Sequence, residues 1–238
     1  IRAMVDKVCA DGATMGFKEA LSIRGKISLA EGQVHARLAA PSTRLLSEWA
    51  KVSFAREMTE QLRYALTAAI EHLEEAKPRV VNVGSYEPPV IIFVDGACED
   101  VASVGGVAFF PGARPMAFGA VVSEATAQSW RSRDDQRQVI GQAELFPCLV
   151  ARLTWAKYLK GRRVIFFVDN ESARLALIKS YSPVLASLRI IVDCVKFDFK
   201  NECSSWYGRV PTHCNVSDGP SRMTLSEFLI SLGVQVVV

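Results

Sequence analysis

Two short apolar runs that each end in an aspartate constrain the fold more than any other feature. Residues 90–95 read VIIFVD, and residues 162–169 read RRVIFFVD. A short, nearly continuous apolar run bounded by turn signals is typical of a strand that is buried on both faces of a sheet. Packing does not require an aspartate at the end of such a strand. In open α/β sheets, this carboxyl edge is where ligands and catalytic groups collect.

The segments around these two runs predict a mixed α/β sheet that is covered by helices. The predicted strands, five in all, cover residues 90–95, 104–110, 115–122, 162–169 and 204–210. The predicted helices of this half cover residues 140–159, 170–180, 184–197 and 217–232, and Asn170 is expected to cap the second of them. Strands followed by alternating helices and strands therefore indicate one α/β domain.

The first part of the chain has a different pattern, because it is helical and carries no strong strand signal. Its best helix covers residues 54–77, where apolar side chains recur at spacings of three and four. Residues 24–40 and 41–49 are also predicted to be helical. Prolines and glycines then interrupt any periodicity over residues 77–90. We expect a small helical region over residues 1–89 and a separate domain over residues 90–238.

Composition excludes several classes of protein. No stretch of about 18 apolar residues is present, so no membrane partner is expected, and the first residues lack the apolar segment of a signal peptide. The six cysteines contain no C-x-x-C pair, and Cys203, His213 and Cys214 have only a loose metal-ligand spacing. We expect reduced thiols and a cytoplasmic or nuclear protein. A net charge of +3 does not by itself indicate nucleic-acid binding.

Motifs of other enzyme classes are missing from the sequence. There is no G-x-x-x-x-G-K-[ST] phosphate loop and no G-x-G-x-x-G turn, which argues against nucleoside-triphosphate and dinucleotide sites. There is also no G-x-S-x-G motif and there are only three histidines. Serine and cysteine hydrolase mechanisms therefore have no support.

Four acidic residues could form a metal site. If the strands that end in Asp95 and Asp169 are parallel neighbours, a spacing of about 4.8 Å places the two carboxylates side by side. Two such carboxylates repel each other unless a cation lies between them. Glu144 lies in GQAELFP, near the start of the helix predicted over residues 140–159. Because Pro147 is tolerated in a first turn, a start around Glu144 itself is an alternative. Asp218 follows in NVSDGPSR.

Each of these acids has a simple structural explanation when it is taken alone. Asp95 and Asp169 are each expected as strand-end or turn aspartates, Asp169 and Asp218 as helix caps, and Glu144 as an exposed helix carboxylate. Together, however, carboxylates from four elements could hold two metal ions about 3.5–4 Å apart. That arrangement serves the in-line attack of water on a phosphodiester.

Five segments, taken in order, resemble the motifs of the ribonuclease H family. They read FVDGA, GGVAFF, QAEL, VDNESARLAL and VPTHCNVSDGPSR. The last segment most closely resembles the reverse transcriptases of retroelements that use a tyrosine recombinase. The resemblance covers residues 91–222 and implies a ribonuclease H-like sheet of five strands flanked by helices. It also implies that the enzyme hydrolyses the RNA strand of an RNA/DNA hybrid, with Asp95, Glu144, Asp169 and Asp218 holding two Mg²⁺ or Mn²⁺ ions.

The first part of the chain shows a weaker resemblance to the same elements. Residues 21–50 resemble the helical thumb or connection segment between the polymerase and the ribonuclease H domain. The chain begins with Ile1, and the polymerase segments with their own aspartates are missing. We therefore expect either the C-terminal part of a longer reverse transcriptase, with an upstream polymerase domain or subunit as a partner, or a descendant that lost the polymerase.

The resemblance also implies roles for residues around the acids. His213 is five residues before Asp218 and is interpreted as an auxiliary group for product release or as a surface histidine. Arg222 is interpreted as a further phosphate-binding residue or, instead, as a partner of a carboxylate. On the basis of their positive charge rather than the resemblance, the residues expected to bind the phosphate backbone are Arg162, Arg163, Lys196, Lys200 and Arg209.

Two alternatives to an active nuclease remain open. One is a catalytically silent domain of the same fold that only binds nucleic acid or a partner subunit, although the presence of all four acids argues against it. The other is a strand-transfer enzyme that resembles retroviral integrases. Those relatives have the order Asp, Asp, Glu, whereas Glu144 precedes Asp169 here.

Overall fold

The computed structural model describes residues 1–32, 37–78, 87–98, 101–131 and 139–237. Its helices are α1 (Arg2–Cys9), α2 (Phe17–Ala30), α3 (Ala40–Trp49), α4 (Glu60–Glu75), α5 (Glu124–Trp130), α6 (Ile140–Thr154), α7 (Ala156–Leu159), α8 (Glu171–Lys179), α9 (Leu185–Lys200), α10 (Asp218–Ser221) and α11 (Glu227–Ser231). Its strands are β1 (Thr14–Met15), β2 (Arg56–Glu57), β3 (Val90–Cys98), β4 (Ala102–Phe109), β5 (Met116–Val121), β6 (Arg163–Val168), β7 (Ser204–Arg209) and β8 (Gln235–Val236).

The chain forms two compact units. The helical unit contains residues 1–81 together with 179–200, and the sheet unit contains residues 82–178 together with 201–238. The functional division at residues 89 and 90 stays a prediction. Among the described residues, no helix combines the length and the apolar character that crossing a bilayer requires.

The helical unit is built around apolar faces that repeat at the helical period. Ile23 and Ile27 of α2, Leu46 of α3 and Leu62 of α4 are fully or almost fully buried in one cluster. Helix α9 adds a second contact to α4, in which Leu188 and Val192 pack against Ala65 and Ala68. The helical unit therefore combines an amino-terminal segment with one helix from much later in the chain.

The sheet unit contains a six-stranded mixed sheet with the order β7-β6-β3-β4-β5-β8. Strands β3, β6 and β7 are parallel, whereas β4 pairs antiparallel with both β3 and β5. Helix α6 packs across β3 and β4, and the short α10 packs across β3, β4 and β5. The predicted class, a mixed α/β sheet flanked by helices, is confirmed.

All five predicted strands are present, and β8 is an addition. This strand has only two residues, Gln235 and Val236, which pair with Met116 and Ala117 of β5. Two residues are too few to show an alternating pattern, so its pairing depends on tertiary structure rather than on a local signal.

Several predicted helix boundaries were wrong. The helix predicted over residues 140–159 does begin at Ile140, as α6, but it is interrupted at Trp155 and continues as α7; the alternative start near Glu144 was wrong, and Pro147 lies inside α6. Helix α4 begins at Glu60 rather than at residue 54, because the side chain of Thr59 accepts a hydrogen bond from the Leu62 amide and caps the first turn. The helix predicted over residues 24–40 is observed as α2, which ends at Ala30. Residues 33–36 of that prediction lie outside the described residues.

Candidate metal centre

The parallel pairing of β3 with β6 brings two aspartates together. Val94 and Val168 are paired in the register of these strands. Asp95 is the next residue of β3, and Asp169 follows immediately after β6. The two aspartate-bearing strands are therefore parallel neighbours, which is the condition for bringing their carboxylates together, although β3 continues beyond Asp95 to Cys98.

A close backbone approach brings Glu144 to the same place. A Cβ atom built on Gly96 would lie 2.1 Å from the carbonyl oxygen of Ala143 and 2.9 Å from the amide nitrogen of Glu144. Since real Cβ atoms do not approach other atoms so closely, only glycine allows α6 to pack this tightly on β3. The approach places Glu144 next to Asp95.

The three carboxylates form one cluster. One oxygen each from Asp95, Glu144 and Asp169 can be chosen so that all three lie within 4.8 Å of one another. Asp95 is buried, and the other two residues are half-buried. Within the described part of the chain, no group that includes a cysteine or a histidine has a comparable arrangement. We call these three residues the acidic cluster.

Burial and mutual repulsion alter the protonation of the acidic cluster. Desolvation, followed by the charges of Asp169 and Asp218, raises the pKa of Asp95 to about 6, against a lowering by its hydrogen bond to Ser221. Desolvation, followed by the charges of Asp95 and Asp169, raises the pKa of Glu144 to about 8. These shifts show that the site disfavours uncompensated negative charge.

Two carboxylate oxygens of the cluster lack a hydrogen-bond partner. Glu144 Oε2 and Asp169 Oδ1 are buried, and neither has a partner among the described residues. A buried and unsatisfied acceptor is costly, and a charged acceptor is more so. Hard divalent cations such as Mg²⁺ take carboxylate oxygens as ligands. The donor set and the unsatisfied oxygens therefore fit a divalent cation.

The closing segment of the chain holds Asp95 through a serine. The hydroxyl of Ser221 donates a hydrogen bond to Asp95 Oδ2 over 2.5 Å, and Ser221 is fully buried. Ser221 can lie this close to the sheet because Gly105 of β4, the cross-strand partner of Asp95, has no side chain. A Cβ atom on Gly105 would lie 2.2 Å from the Ser221 amide nitrogen. Sequence reasoning gave Ser221 no role. The sequence feature that could have indicated the role of Ser221 is Gly105, a glycine within a buried strand.

Asn170 holds Glu144 in a similar way. Its side chain hydrogen-bonds Glu144, which lowers the pKa of that carboxyl against the larger effect of burial. Its Oδ1 accepts a hydrogen bond from the Ala173 amide over 3.0 Å, so the predicted capping role is confirmed. The position of Asn170 beside the acidic cluster was not predicted.

Asn215 attaches the closing segment to β3. Its Nδ2 donates to the carbonyl oxygen of Val94 over 3.1 Å, and its Oδ1 accepts from the hydroxyl of Ser217 over 2.7 Å. Asn215 and Ser217 are both buried. This contact is one residue before Asp95 and therefore stabilises the position of that strand.

Asp218, the fourth acid of the prediction, lies outside the acidic cluster. It begins α10, and its Oδ1 accepts a hydrogen bond from Arg222 Nε over 3.2 Å. The interpretation of Arg222 as a partner of a carboxylate is therefore confirmed. The charge of Asp218 still acts on Asp95 and raises the pKa of that group.

Two of the predicted phosphate-binding arginines lie at the amino end of β6, whereas Asp169 follows its carboxyl end. Arg162 pairs with Glu87 at 3.1 Å and donates to the Pro88 carbonyl. Arg163 donates to the carbonyl oxygen of Glu87 over 2.6 Å. Both guanidinium groups are therefore bound to Glu87 and Pro88, the residues that precede β3.

The other predicted auxiliary residues occupy different parts of the chain. Arg209 is exposed at the end of β7 and is paired in register with Val168, so it shares the sheet edge of Asp169. Lys196 and Lys200 are exposed on α9 in the helical unit. His213 is exposed on a 3₁₀ turn over Thr212–Cys214. Their functional roles stay predictions.

No family model and no curated protein matches the sequence. Among solved structures, the chain is similar to RNase H1 from the halophilic archaeon Halobacterium salinarum NRC-1, with 17% identity and a TM-score of 0.45 over 56% of this chain and 94% of that one. It is also similar to LC11-RNase H1 in complex with RNA/DNA hybrid, with 14% identity and a TM-score of 0.39 over 59% and 99% of the two chains.

A longer alignment is found with a viral protein. The foamy viral protease-reverse transcriptase in complex with RNA/DNA hybrid has 12% identity and a TM-score of 0.34, over 95% of this chain and 29% of that one. All three TM-scores are below 0.5.

Proposed function

We propose that the protein is a metal-dependent nuclease that hydrolyses the RNA strand of RNA/DNA hybrids. The observation that carries the proposal is the acidic cluster, in which oxygens of Asp95, Glu144 and Asp169 lie within 4.8 Å of one another. The motif resemblance to the ribonuclease H family adds the substrate class. The ions proposed are two Mg²⁺ or Mn²⁺.

The three carboxylates of the cluster would hold the cations, with Asp218 as a further ligand. When bound, divalent cations would lower the pKa of the attacking water and stabilise the charge of the leaving oxygen. Asp218 is engaged by Arg222 at 3.2 Å. Since this pair is partly exposed, Asp218 can exchange Arg222 for a cation at small cost.

The remaining residues of the site keep the carboxylates in place. Ser221 holds one oxygen of Asp95, and Asn170 hydrogen-bonds Glu144. Asn215 fixes the strand beside them. Such supporting contacts restrict the carboxylates to one arrangement, which is what a site that binds cations at fixed positions requires.

The proposal is tested by a cleavage assay on an RNA/DNA hybrid with a label on either strand, in Mg²⁺ or Mn²⁺. The wild type should cut the RNA strand alone. Asp95→Asn and Asp169→Asn should each lower the rate by more than the roughly 100-fold that is common for supporting residues of metal sites. Asp6→Asn, which changes an exposed acid of α1, is the matched control and should leave the rate unchanged.

Two results would contradict the proposal. One is a wild-type protein that cuts neither strand with either metal ion. If that protein still binds the hybrid, it is a catalytically silent binding domain. The other is equal activity of the wild type and both cluster variants, which would place the catalysis elsewhere in the protein.

A further inference from the structure

A basic groove lies on the surface of the helical unit. Its volume is about 230 Å³, and it is formed by α2, α3 and the last residue of α8. Three cationic and three hydroxyl side chains line it, namely Arg24, Arg44, Lys179, Ser28, Thr43 and Ser47. None of the described residues that line this groove is acidic.

The helical period explains why these polar groups lie together. Arg24 and Ser28 are four residues apart on α2, as are Thr43 and Ser47 on α3, and each pair therefore lies on one face of its helix. The opposite faces are apolar and buried. The two polar faces lie next to each other because α2 and α3 pack together.

The cations of the groove are available to a ligand. Arg24, Arg44 and Lys179 are all exposed. Arg44 has a carboxylate partner in Glu48, at 3.6 Å and one turn along α3. An ion pair between exposed side chains contributes little, so it does not prevent Arg44 from binding another anion.

The hydroxyl groups contribute less to binding than the cations. Ser47 donates its hydroxyl hydrogen to the Thr43 carbonyl over 2.7 Å, and Thr43 donates to the Ala40 carbonyl over 3.1 Å. A ligand bound here would therefore be held mainly by two guanidinium groups and one ammonium group. Planar guanidinium groups match the oxygens of a phosphate group especially well.

We propose that the basic groove binds adjacent backbone phosphates of a nucleic-acid duplex, as a second contact besides the acidic cluster. The inference rests on the proposed function, which supplies the duplex as substrate. The three carboxylates of the acidic cluster repel phosphate unless cations are bound to them. A duplex substrate therefore needs a positive surface on another part of the protein, and the basic groove provides one.

The test measures the affinity of the full chain for a fluorescein-labelled RNA/DNA hybrid by anisotropy, in EDTA so that no cleavage occurs. The groove variant carries Arg24→Gln and Lys179→Gln. The control variant carries Lys18→Gln and Lys26→Gln, which remove the same charge from exposed positions of α2 outside the groove. The affinity is measured over a range of salt concentrations, because each lost phosphate contact lowers the salt slope by about one.

The groove variant should bind the hybrid about tenfold more weakly than the wild type, with a salt slope smaller by about two. The control variant should remain within about twofold of the wild type. Equal affinity of the groove and control variants would overturn the proposal. Binding of the wild type to anionic lipid vesicles in preference to the hybrid would also overturn it, since the groove would then serve a membrane surface.

A second measurement does not depend on the folding of a variant. The wild type is acetylated briefly with and without the hybrid, and the modification of each lysine is read by mass spectrometry. Lys179 should be protected by the hybrid, and Lys18 should not. Equal modification of Lys179 in both samples would contradict binding in the groove.

The outcomes distinguish this inference from the proposed function. A wild type that binds the hybrid through the groove without cutting it supports the groove and refutes the nuclease. A wild type that cuts the hybrid, with a groove variant that binds and cuts equally well, supports the nuclease and refutes the groove.

Discussion

The backbones of Gly96 in β3 and Ala143 in α6 are in direct contact, and there is no space between them for a side chain, because a Cβ atom on Gly96 would lie 2.1 Å from the Ala143 carbonyl oxygen. The same carbonyl belongs to the residue four positions before Pro147, which has no N–H to donate to it. The carbonyl oxygen of Ala143, the residue before Glu144, therefore lacks its usual helical hydrogen bond because of Pro147 and lies against the backbone of Gly96.

Gly96→Ala should therefore displace α6 from β3. We expect a loss of about 1–3 kcal/mol in the free energy of unfolding, as is usual for overpacking, together with a fall in cleavage rate because Glu144 moves. Urea denaturation and the cleavage assay measure these two effects. Gly141→Ala is the matched control on the same helix, since a Cβ atom at Gly141 meets nothing within 4 Å. An unchanged stability of Gly96→Ala would show that the approach is looser than described.

Ser221→Ala should weaken the site without removing a carboxylate. The hydrogen bond from Ser221 lowers the pKa of Asp95, so its loss should raise that pKa further. We expect the cation affinity and the cleavage rate to fall by about 10–100-fold, as for other supporting residues of metal sites. Ser231→Ala, which removes a hydroxyl bonded to a helix carbonyl in α11, is the control. Equal Mg²⁺ dependence of the two variants would refute a positioning role for Ser221.

Cation binding should become stronger as the pH rises. The pKa values of about 6 for Asp95 and about 8 for Glu144 mean that protons must leave the cluster before cations bind. The apparent affinity for Mg²⁺ should therefore rise between pH 6 and pH 8, with net release of protons. Calorimetry in buffers of different ionisation enthalpy measures this release. Glu144→Gln should abolish the rise in Mg²⁺ affinity near pH 8, because the group with that pKa is gone. A wild-type Mg²⁺ affinity that does not change with pH would contradict the prediction.

Glu31 should make the folded protein less stable as the pH rises. Desolvation raises the pKa of this buried carboxyl from 4.5 to about 7, although its Oε1 accepts a hydrogen bond from the Ala39 amide over 2.6 Å. Between these two values the folded state binds more protons than the unfolded state, so stability is lost as the pH rises from 4.5 to 7. Glu31→Gln keeps the acceptor and should gain stability relative to the wild type at pH 8 but not at pH 4. Urea denaturation at both pH values decides between these outcomes.

The strands and the pair of aspartates could be predicted from sequence because their signals are local. A buried strand needs a short apolar run, and two such runs ended in Asp95 and Asp169. The contributions of Ser221 and Asn170 could not be predicted in the same way. The hydrogen bond of Ser221 reaches Asp95, far away in the chain, and that of Asn170 depends on how α6 places Glu144. Neither contact leaves a periodic pattern in the sequence.

The start of α6 at Ile140 could be predicted from the helical pattern, but the place of Pro147 inside the helix could not. Proline is usually confined to the first turn of a helix, so Pro147 favoured the alternative start near Glu144. In the structure α6 begins at Ile140 and contains the proline. Burial against the sheet stabilises this helix, since Ala143 and Cys148 are completely buried, and packing outweighs the lost hydrogen bond.

The position of α9 also determines the order in which the protein can be completed during synthesis. This helix lies between α8 and β7 in the chain, yet Leu188 and Val192 cover Ala65 and Ala68 of α4. A nascent chain that ended before residue 185 would leave the α4 face bare, and β7 would not yet have joined the sheet. The helical unit is therefore complete only after residue 200 has left the ribosome, and the sheet unit only after β7 and β8 have followed. A fragment begun at residue 90 would carry α9 without the surface that it covers.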